Sequence, residues 1–134
     1  MEDCIFCKII TKEIPAHIVY EDETIIAFLD RSQYVKAHIL IVPKKHSRWL
    51  WDTDLEEYLK LMEKTHYLAN VLRKAFKTEW VEQVVAGMGV PHTHIHLMQR
   101  QDNDKIGEIP TEPIKPQPTE EERKEFVELI KQHL

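Results

Sequence analysis

"VPHTHIHLM", residues 90–98, places histidines at 92, 94 and 96, three of the chain's eight within five residues. Successive side chains of a β-strand project to opposite faces. Read as a strand, the stretch sets His92, His94 and His96 on one face and Thr93, Ile95 and Leu97 on the other. A single strand histidine is ordinarily structural. Three side by side carry many ring nitrogens, each costing about 1–3 kcal/mol if buried unpaired. A row of imidazoles therefore points to function.

The neighbouring segments define the fold. "WVEQVVAG" (80–87) reads as a strand joined to the histidine strand (91–99) through Gly87 and Gly89. "HIVYED" (17–22) and "TIIAFLD" (24–30) are β-rich around an acidic turn, the pattern of a hairpin. "AHILIVP" (37–43) is a third strand closed by Pro43, its apolar run implying burial on both faces. A long helix follows: Thr53 and Glu56 fit a capping box, and Leu55, Tyr58, Leu59, Met62, Ala69, Leu72 and Phe76 repeat at helical spacing. Lys74 and Lys77 suit the negative end of its dipole. "CIFCKIITKEIPA" (4–16) reads as a short helix ending near Pro15. Short links favour antiparallel pairing, and the class is α+β: a five-stranded antiparallel sheet with one long helix.

From Gln101 the character changes. Pro110, Pro113, Pro116 and Pro118 make residues 101–118 an extended tether, and Thr119 with Glu122 caps a terminal helix over 119–134. Phe126, Leu129, Ile130 and His133 share one side of that helix, which is expected to dock on the body or on a neighbouring subunit. A chain of 134 residues suits one domain, with its core in residues 1–100.

Composition excludes several classes. A formal charge of −5 gives no general footprint for nucleic acid, although Lys44, Lys45 and Arg48 form a local basic group. No apolar run approaches the ~18 residues of a membrane span. "MEDCIFCKIITKEIP" begins with acids and lacks the pattern of a signal peptide, so the expected location is the cytoplasm, with Cys4 and Cys7 as reduced thiols.

Two chemistries fit a His-x-His strand. In one, it is a metal platform with a third ligand from elsewhere and an open position for water. In the other, one imidazole is a nucleophile whose neighbours position it and neutralise phosphate charge. Cys4-x-x-Cys7 is read as a redox motif, a zinc half-site or coincidence; its place at the extreme N-terminus weakens the redox reading. A zinc site needs two more ligands, and the suppliers available are His46 and one member of the trio. His38, opening the third strand, is placed to complete a site beside the trio.

"CIFCKIITKEIPA", "VYEDETIIAFLD", "AHILIVPKKH" and "VPHTHIHLM" follow in the order found in the histidine-triad (HIT) superfamily, which the chain resembles over roughly residues 4–100. The last segment is similar to that family's His-φ-His-φ-His-φ-φ motif, with Thr93 in the first φ position. The resemblance is to the Hint-type branch carrying a CxxC. It implies a HIT-fold homodimer that hydrolyses purine nucleoside phosphoramidates or related nucleoside monophosphate conjugates through a covalent nucleotidyl-histidine. It assigns His94 as nucleophile, His96 to the phosphate and leaving group, and His38 to orienting the cluster. It implies a structural Zn2+ on Cys4, Cys7, His46 and His92, and a nucleoside pocket at Ile5, Phe6, Ile9, Phe28, Leu29 and Asp30, with Asp30 on the ribose hydroxyls.

The chain departs from the family where Gly87-Met88-Gly89 replaces a Gly-Gln-Ser/Thr stretch, and where "MQR" follows the triad in place of apolar-Pro-Arg. Three rivals share these residues: a dinucleoside polyphosphate hydrolase, a nucleotide-binding scaffold, and a hydrolase with catalytic zinc on the trio.

Overall fold

The alternation in the β-rich segments produces a sheet with two chemically different faces. A computed structural model describes residues 3–134 and gives, in chain order, α1 (Ile5–Ile10), β1 (Ile18–Glu21), β2 (Ile25–Leu29) and β3 (Ile39–Pro43). A 3-10 turn (Leu50–Asp52), α2 (Leu55–Ala75), β4 (Val81–Val84), β5 (Ile95–Gln99) and α3 (Glu120–Lys131) follow. The five strands pair antiparallel throughout, in the order β1-β2-β3-β5-β4. The fold is α+β, as expected.

Ile25, Ala27 and Leu29 of β2, Ile39 and Ile41 of β3, and Ile95 and Leu97 of β5 face α2 and α3, packing with Leu61, Leu68, Leu72 and Ile130. The alternate residues Ile26, Phe28, Leu40 and Val42 face the other way and pack against Phe6 and Ile9 of α1. β2 and β3 are buried at every position, which explains their unbroken apolar runs. Among the described residues, no helix is long and apolar enough to cross a membrane.

Several local expectations change. The cap of α2 is Asp54, whose side chain accepts from the Glu57 N–H, and not Thr53. Thr53 is drawn off because its hydroxyl pairs with Ser47 Oγ at 2.8 Å, and Ser47 Oγ in turn meets Thr93 Oγ1 at 2.8 Å. The inner face of α2 is set by Leu61, Thr65, Leu68, Val71, Leu72 and Ala75, while Leu55 and Leu59 lie exposed. The buried stripe lies about a quarter-turn from the expected one, because exposed leucines match helical spacing as well as buried ones do. The β5 ladder begins at Ile95, so His92 and His94 precede it, His92 in a bend where its N–H donates to Val90 O at 2.8 Å. On α3 the buried residues are Val127 and Ile130, and His133 is exposed.

Residues 101–119 form no helix or strand, yet they are fastened to the body. Arg100, fully buried, donates to the carboxylates of Asp104 and Glu82 and to the carbonyls of Ile106 and Glu108. Further on, Ile114 N–H donates to Gln33 O at 3.0 Å.

The end of α2 yields a stability prediction. Thr78 N–H donates to Arg73 O, closing a Schellman turn in which Lys77 takes φ 52°, the left-handed region. A β-carbon there costs roughly 1 kcal/mol, and Lys77 is exposed, so nothing else depends on it. Lys77→Gly is expected to raise stability by about 0.5–1 kcal/mol and Tm by about 2–4 °C. A thermal melt checks this; a lower Tm would mean that the lysine's charge at the helix end outweighs its backbone strain.

Candidate active site and metal cluster

On the face opposite α2, the sheet, α1 and the C-terminal segment enclose a cavity of about 970 Å³. Every residue expected to form the nucleoside pocket lines it: Ile5, Phe6 and Ile9 from α1, and Phe28, Leu29 and Asp30 from the end of β2. His38, His94 and His96 line it as well, whereas His92 lies outside it in the metal cluster. Phe6 ties the two regions together, its ring edge-on to His92 at 6.0 Å, His94 at 5.0 Å and Phe28 at 5.6 Å between centroids.

Hydrogen bonds fix the proton on each ring. Tyr34 N–H donates to His38 Nδ1 at 3.1 Å, so His38 carries its proton on Nε2. That Nε2 lies 2.9 Å from His96 Nδ1, which must accept, leaving the His96 proton on Nε2. His94 Nδ1 lies 2.7 Å from the carbonyl of His92, which only accepts, so the neutral His94 ring bears its proton there and a free lone pair on Nε2. The cavity thus holds one imidazole with an available electron pair beside one with an available N–H. That pairing suits attack on an electrophilic phosphorus together with donation to its oxygens.

Asp30 Oδ1 accepts from Ser32 N–H at 3.0 Å, and Oδ2 lies 3.5 Å from His38 Nε2 and 3.8 Å from His96 Nδ1. Spacing alone would allow Asp30, His38 and His96 to hold a cation. The Tyr34 N–H opposes it: a metal on His38 Nε2 would leave the ring deprotonated at both nitrogens or force two N–H groups together. Tyr34 N–H, His38 and His96 are better described as a proton-ordered hydrogen-bond chain, with the Asp30 carboxylate beside it.

Burial dominates the titration of this cluster. It pushes His38 down to about 3 and His96 to about 4, in each case aided by the neighbouring imidazole, and it raises Asp30. Both histidines thus stay neutral at pH 7. In the unfolded chain they bind protons near pH 6.5, so between there and about pH 4 the unfolded state holds more protons. Stability is full above pH 6.5 and falls as pH drops below it, by up to about 1.4 kcal/mol per pH unit for each ring. Tm is expected to be lower at pH 5 than at pH 7; equal values would mean that these rings are already hydrated in the folded protein.

The metal-ligating expectations converge too. Cys4, Cys7, His46 and His92 place one ligand atom each within 4.8 Å of one another. Cys4 Sγ to His92 Nδ1 is 3.3 Å, Cys7 Sγ to His46 Nδ1 3.4 Å, Cys7 Sγ to His92 Nδ1 3.5 Å, and His46 Nδ1 to His92 Nδ1 3.0 Å. A tetrahedral Cys2His2 zinc site has ligand–ligand edges of roughly 3.3–3.7 Å. His92 Nε2 lies 2.8 Å from the Pro43 carbonyl, which fixes its proton there and turns the Nδ1 lone pair toward the thiols. Both cysteines are free thiols, Cys4 buried. Donor set and tautomer fit zinc, and so does the spacing apart from the 3.0 Å between the two imidazole nitrogens, which part by a few tenths of an ångström to receive the ion.

Three features escaped the sequence. Thr93, the polar residue in an apolar position of the triad motif, is buried and bonded to Ser47, which locks the histidine segment to the start of α2. Gly87 takes φ 78°, with the Trp49 ring 2.9 Å from where a β-carbon would stand, and Arg48 Nη1 holds its carbonyl at 2.6 Å. Glu120 and Arg123 of α3 line the cavity, an outcome of tertiary docking that no local pattern announces.

The sequence profile of the HIT domain matches residues 11–103. An uncharacterised HIT-like protein of Methanocaldococcus jannaschii is 42% identical over 79% of this chain and 88% of its own length. An adenylylsulfatase of Arabidopsis thaliana is 34% identical over 76% of this chain and 54% of its own. The crystal structure of a zinc-bound histidine-triad protein from Mycobacterium smegmatis superposes with a TM-score of 0.83 at 25% identity, covering 98% of this chain and 93% of that one. Cys4 and Cys7 lie before the profile match, so the metal cluster stands on its geometry.

Proposed function

This chain belongs to the HIT domain family, and from that premise we propose that it hydrolyses purine nucleoside phosphoramidates or related nucleoside monophosphate conjugates, with His94 as nucleophile. The observation that carries this reading is the His94 ring, which lines the cavity and whose Nδ1–H is spent on the His92 carbonyl, so that in the neutral ring the lone pair is on Nε2. In the first step, Nε2 forms a bond to the α-phosphorus. The bond from phosphorus to the leaving nitrogen breaks with its electron pair, and that nitrogen takes a proton from solvent water as it departs as the amine. In the second step, water attacks the same phosphorus and releases a proton to solvent, the bond to Nε2 breaks, and the lone pair returns to His94.

His96 donates Nε2–H to the phosphoryl oxygens throughout. Held near pKa 4, it acts as a hydrogen-bond donor and not as a reservoir of acid. His38 fixes His96 in that orientation through the 2.9 Å contact. Ile5, Phe6, Ile9 and Phe28 bury the base, Leu29 borders it from the end of β2 with its side chain in the core beneath α2, and Asp30 accepts from the ribose hydroxyls. Cys4, Cys7, His46 and His92 hold a structural zinc, which when bound pins α1 against the strand ends. The protein works in the cytoplasm as a homodimer, a second copy pairing along the exposed β4 edge to join the two sheets.

A dinucleoside polyphosphate hydrolase would use the same residues. Side-by-side turnover of an adenosine phosphoramidate and a diadenosine polyphosphate separates them. A higher kcat/KM for the phosphoramidate supports the proposal, and the reverse order overturns it.

A further inference from the structure

Gln33 is fully buried, and both halves of its carboxamide are committed to the loop that ends at His38. Its Oε1 accepts from His38 N–H at 2.8 Å, and its Nε2 donates to the carbonyls of Asp30 at 2.6 Å and His38 at 2.9 Å. Its backbone is held from a distant part of the chain. Gln33 N–H donates to Gln117 Oε1 at 2.8 Å, and Gln33 O accepts from Gln117 Nε2 at 2.8 Å. The Gln117 carboxamide thus pairs with the Gln33 peptide as a neighbouring strand would. Its remaining capacity is also used: Nε2 donates to Ile114 O at 2.7 Å, and Oε1 accepts from Arg123 Nη2 at 3.2 Å. Arg123 Nη1 completes the ring by donating to Asp30 O at 3.2 Å.

We propose that Gln117 is a positioning residue for the histidine cluster, acting through Gln33 to set the Tyr34 N–H that fixes the proton on His38. The path is continuous. Gln33 immediately precedes Tyr34, whose N–H reaches His38 Nδ1 at 3.1 Å, and His38 Nε2 reaches His96 Nδ1 at 2.9 Å. A shift of the Gln33 peptide moves the one donor that selects the His38 tautomer, and through it the N–H that His96 offers to phosphate. The Pro-rich segment after the sheet is thereby part of the catalytic apparatus. Misplacement by about 1 Å at such a distance from the chemistry costs up to roughly a hundredfold in rate. The kinetic consequence rests on the hydrolase reading above; the tautomer consequence does not.

Long-range 15N–1H correlation spectra of the histidine rings test it in the full-length protein, alongside steady-state kinetics on an adenosine phosphoramidate. The wild type is expected to show His38 and His96 as single Nε2–H tautomers. Gln117→Ala is expected to show mixed tautomers at both rings, with kcat down about ten- to a hundredfold and KM changed less than about threefold. Gln117→Glu keeps the acceptor for Gln33 N–H and Arg123 but sets a carboxylate oxygen against the carbonyls of Gln33 and Ile114, so it is expected to show the same mixed tautomers and loss of kcat, and it carries the test should the alanine variant not fold. In the double variant with Gln33→Ala, the kcat loss should not exceed that of Gln33→Ala alone, whereas independent structural effects would multiply. Wild-type tautomers and kcat in a variant that merely melts earlier would overturn the proposal. A wild type that turns over no nucleotide conjugate would overturn the hydrolase reading, and the ring spectra would still decide the role of Gln117.

Discussion

Replacing His94 by glycine is expected to reduce turnover of nucleoside phosphoramidates by a factor on the order of 10⁴ or more, with KM little changed. The size follows from the chemistry assigned to one atom. His94 Nε2 is an imidazole nitrogen of the cluster whose lone pair is free to attack: His38 and His96 carry their protons on Nε2, and His92 is turned away toward the thiols. Without it no covalent intermediate forms, and what survives is the modest assistance of His96 and the apolar pocket. The fold should persist, because the ring lies at the cavity and its hydrogen bond is to a carbonyl two residues away. The glycine variant leaves an imidazole-sized space, so free imidazole in the assay should restore part of the rate. His96→Ala, which removes a donor and leaves the nucleophile, should cost less, on the order of 10²–10³.

Removal of the proposed zinc is the second large effect, expected to lower Tm by about 10 °C or more and to abolish activity in the same step. The local structure gives the reason. α1 has only six residues, too few to hold as a helix unaided. Cys4 caps it, its Sγ accepting from Cys7 N–H at 3.3 Å, so both thiols of the cluster sit on its first turn. The other two ligands come from beyond β3 and from the approach to β5, so a metal joins three stretches far apart in sequence. Loss of about 3 kcal/mol corresponds to roughly 10 °C in a chain of this size, and structural zinc sites commonly contribute more. Because Ile5, Phe6 and Ile9 line the cavity, release of α1 removes the wall proposed to hold the base. Melting curves and activity after treatment with a strong chelator, paired with Cys7→Ser, check it. Activity lost with Tm unchanged would instead point to zinc acting on the substrate.

Much of this was legible in the sequence because it rests on short-range periodicity. The alternation in 90–98, the apolar runs of β2 and β3 and the cap at Thr119 are each local signals, and each led to the right element. The side of α2 that is buried was not local information: Leu55 and Leu59 fit the helical period, and only the position of the sheet decides against them. Alternation alone puts the three triad histidines in one row, and the family resemblance divides their roles. They part in space because the regular ladder starts at Ile95, which leaves His92 turned toward Cys4 while His96 stays in register opposite Leu40. The reach of the C-terminal segment into the site was least visible. Gln33 and Gln117 are 84 positions apart, and nothing in either neighbourhood marks a glutamine that will bond to a distant peptide.

The nucleophilic role of His94 is tested most directly by mass spectrometry of the protein quenched shortly after mixing with an adenosine phosphoramidate. The expected result is a single adenylyl adduct that maps to His94, decays as product appears and is absent from His94→Gly. Turnover by the wild type with no adduct, together with undiminished turnover by His94→Gly, would contradict it.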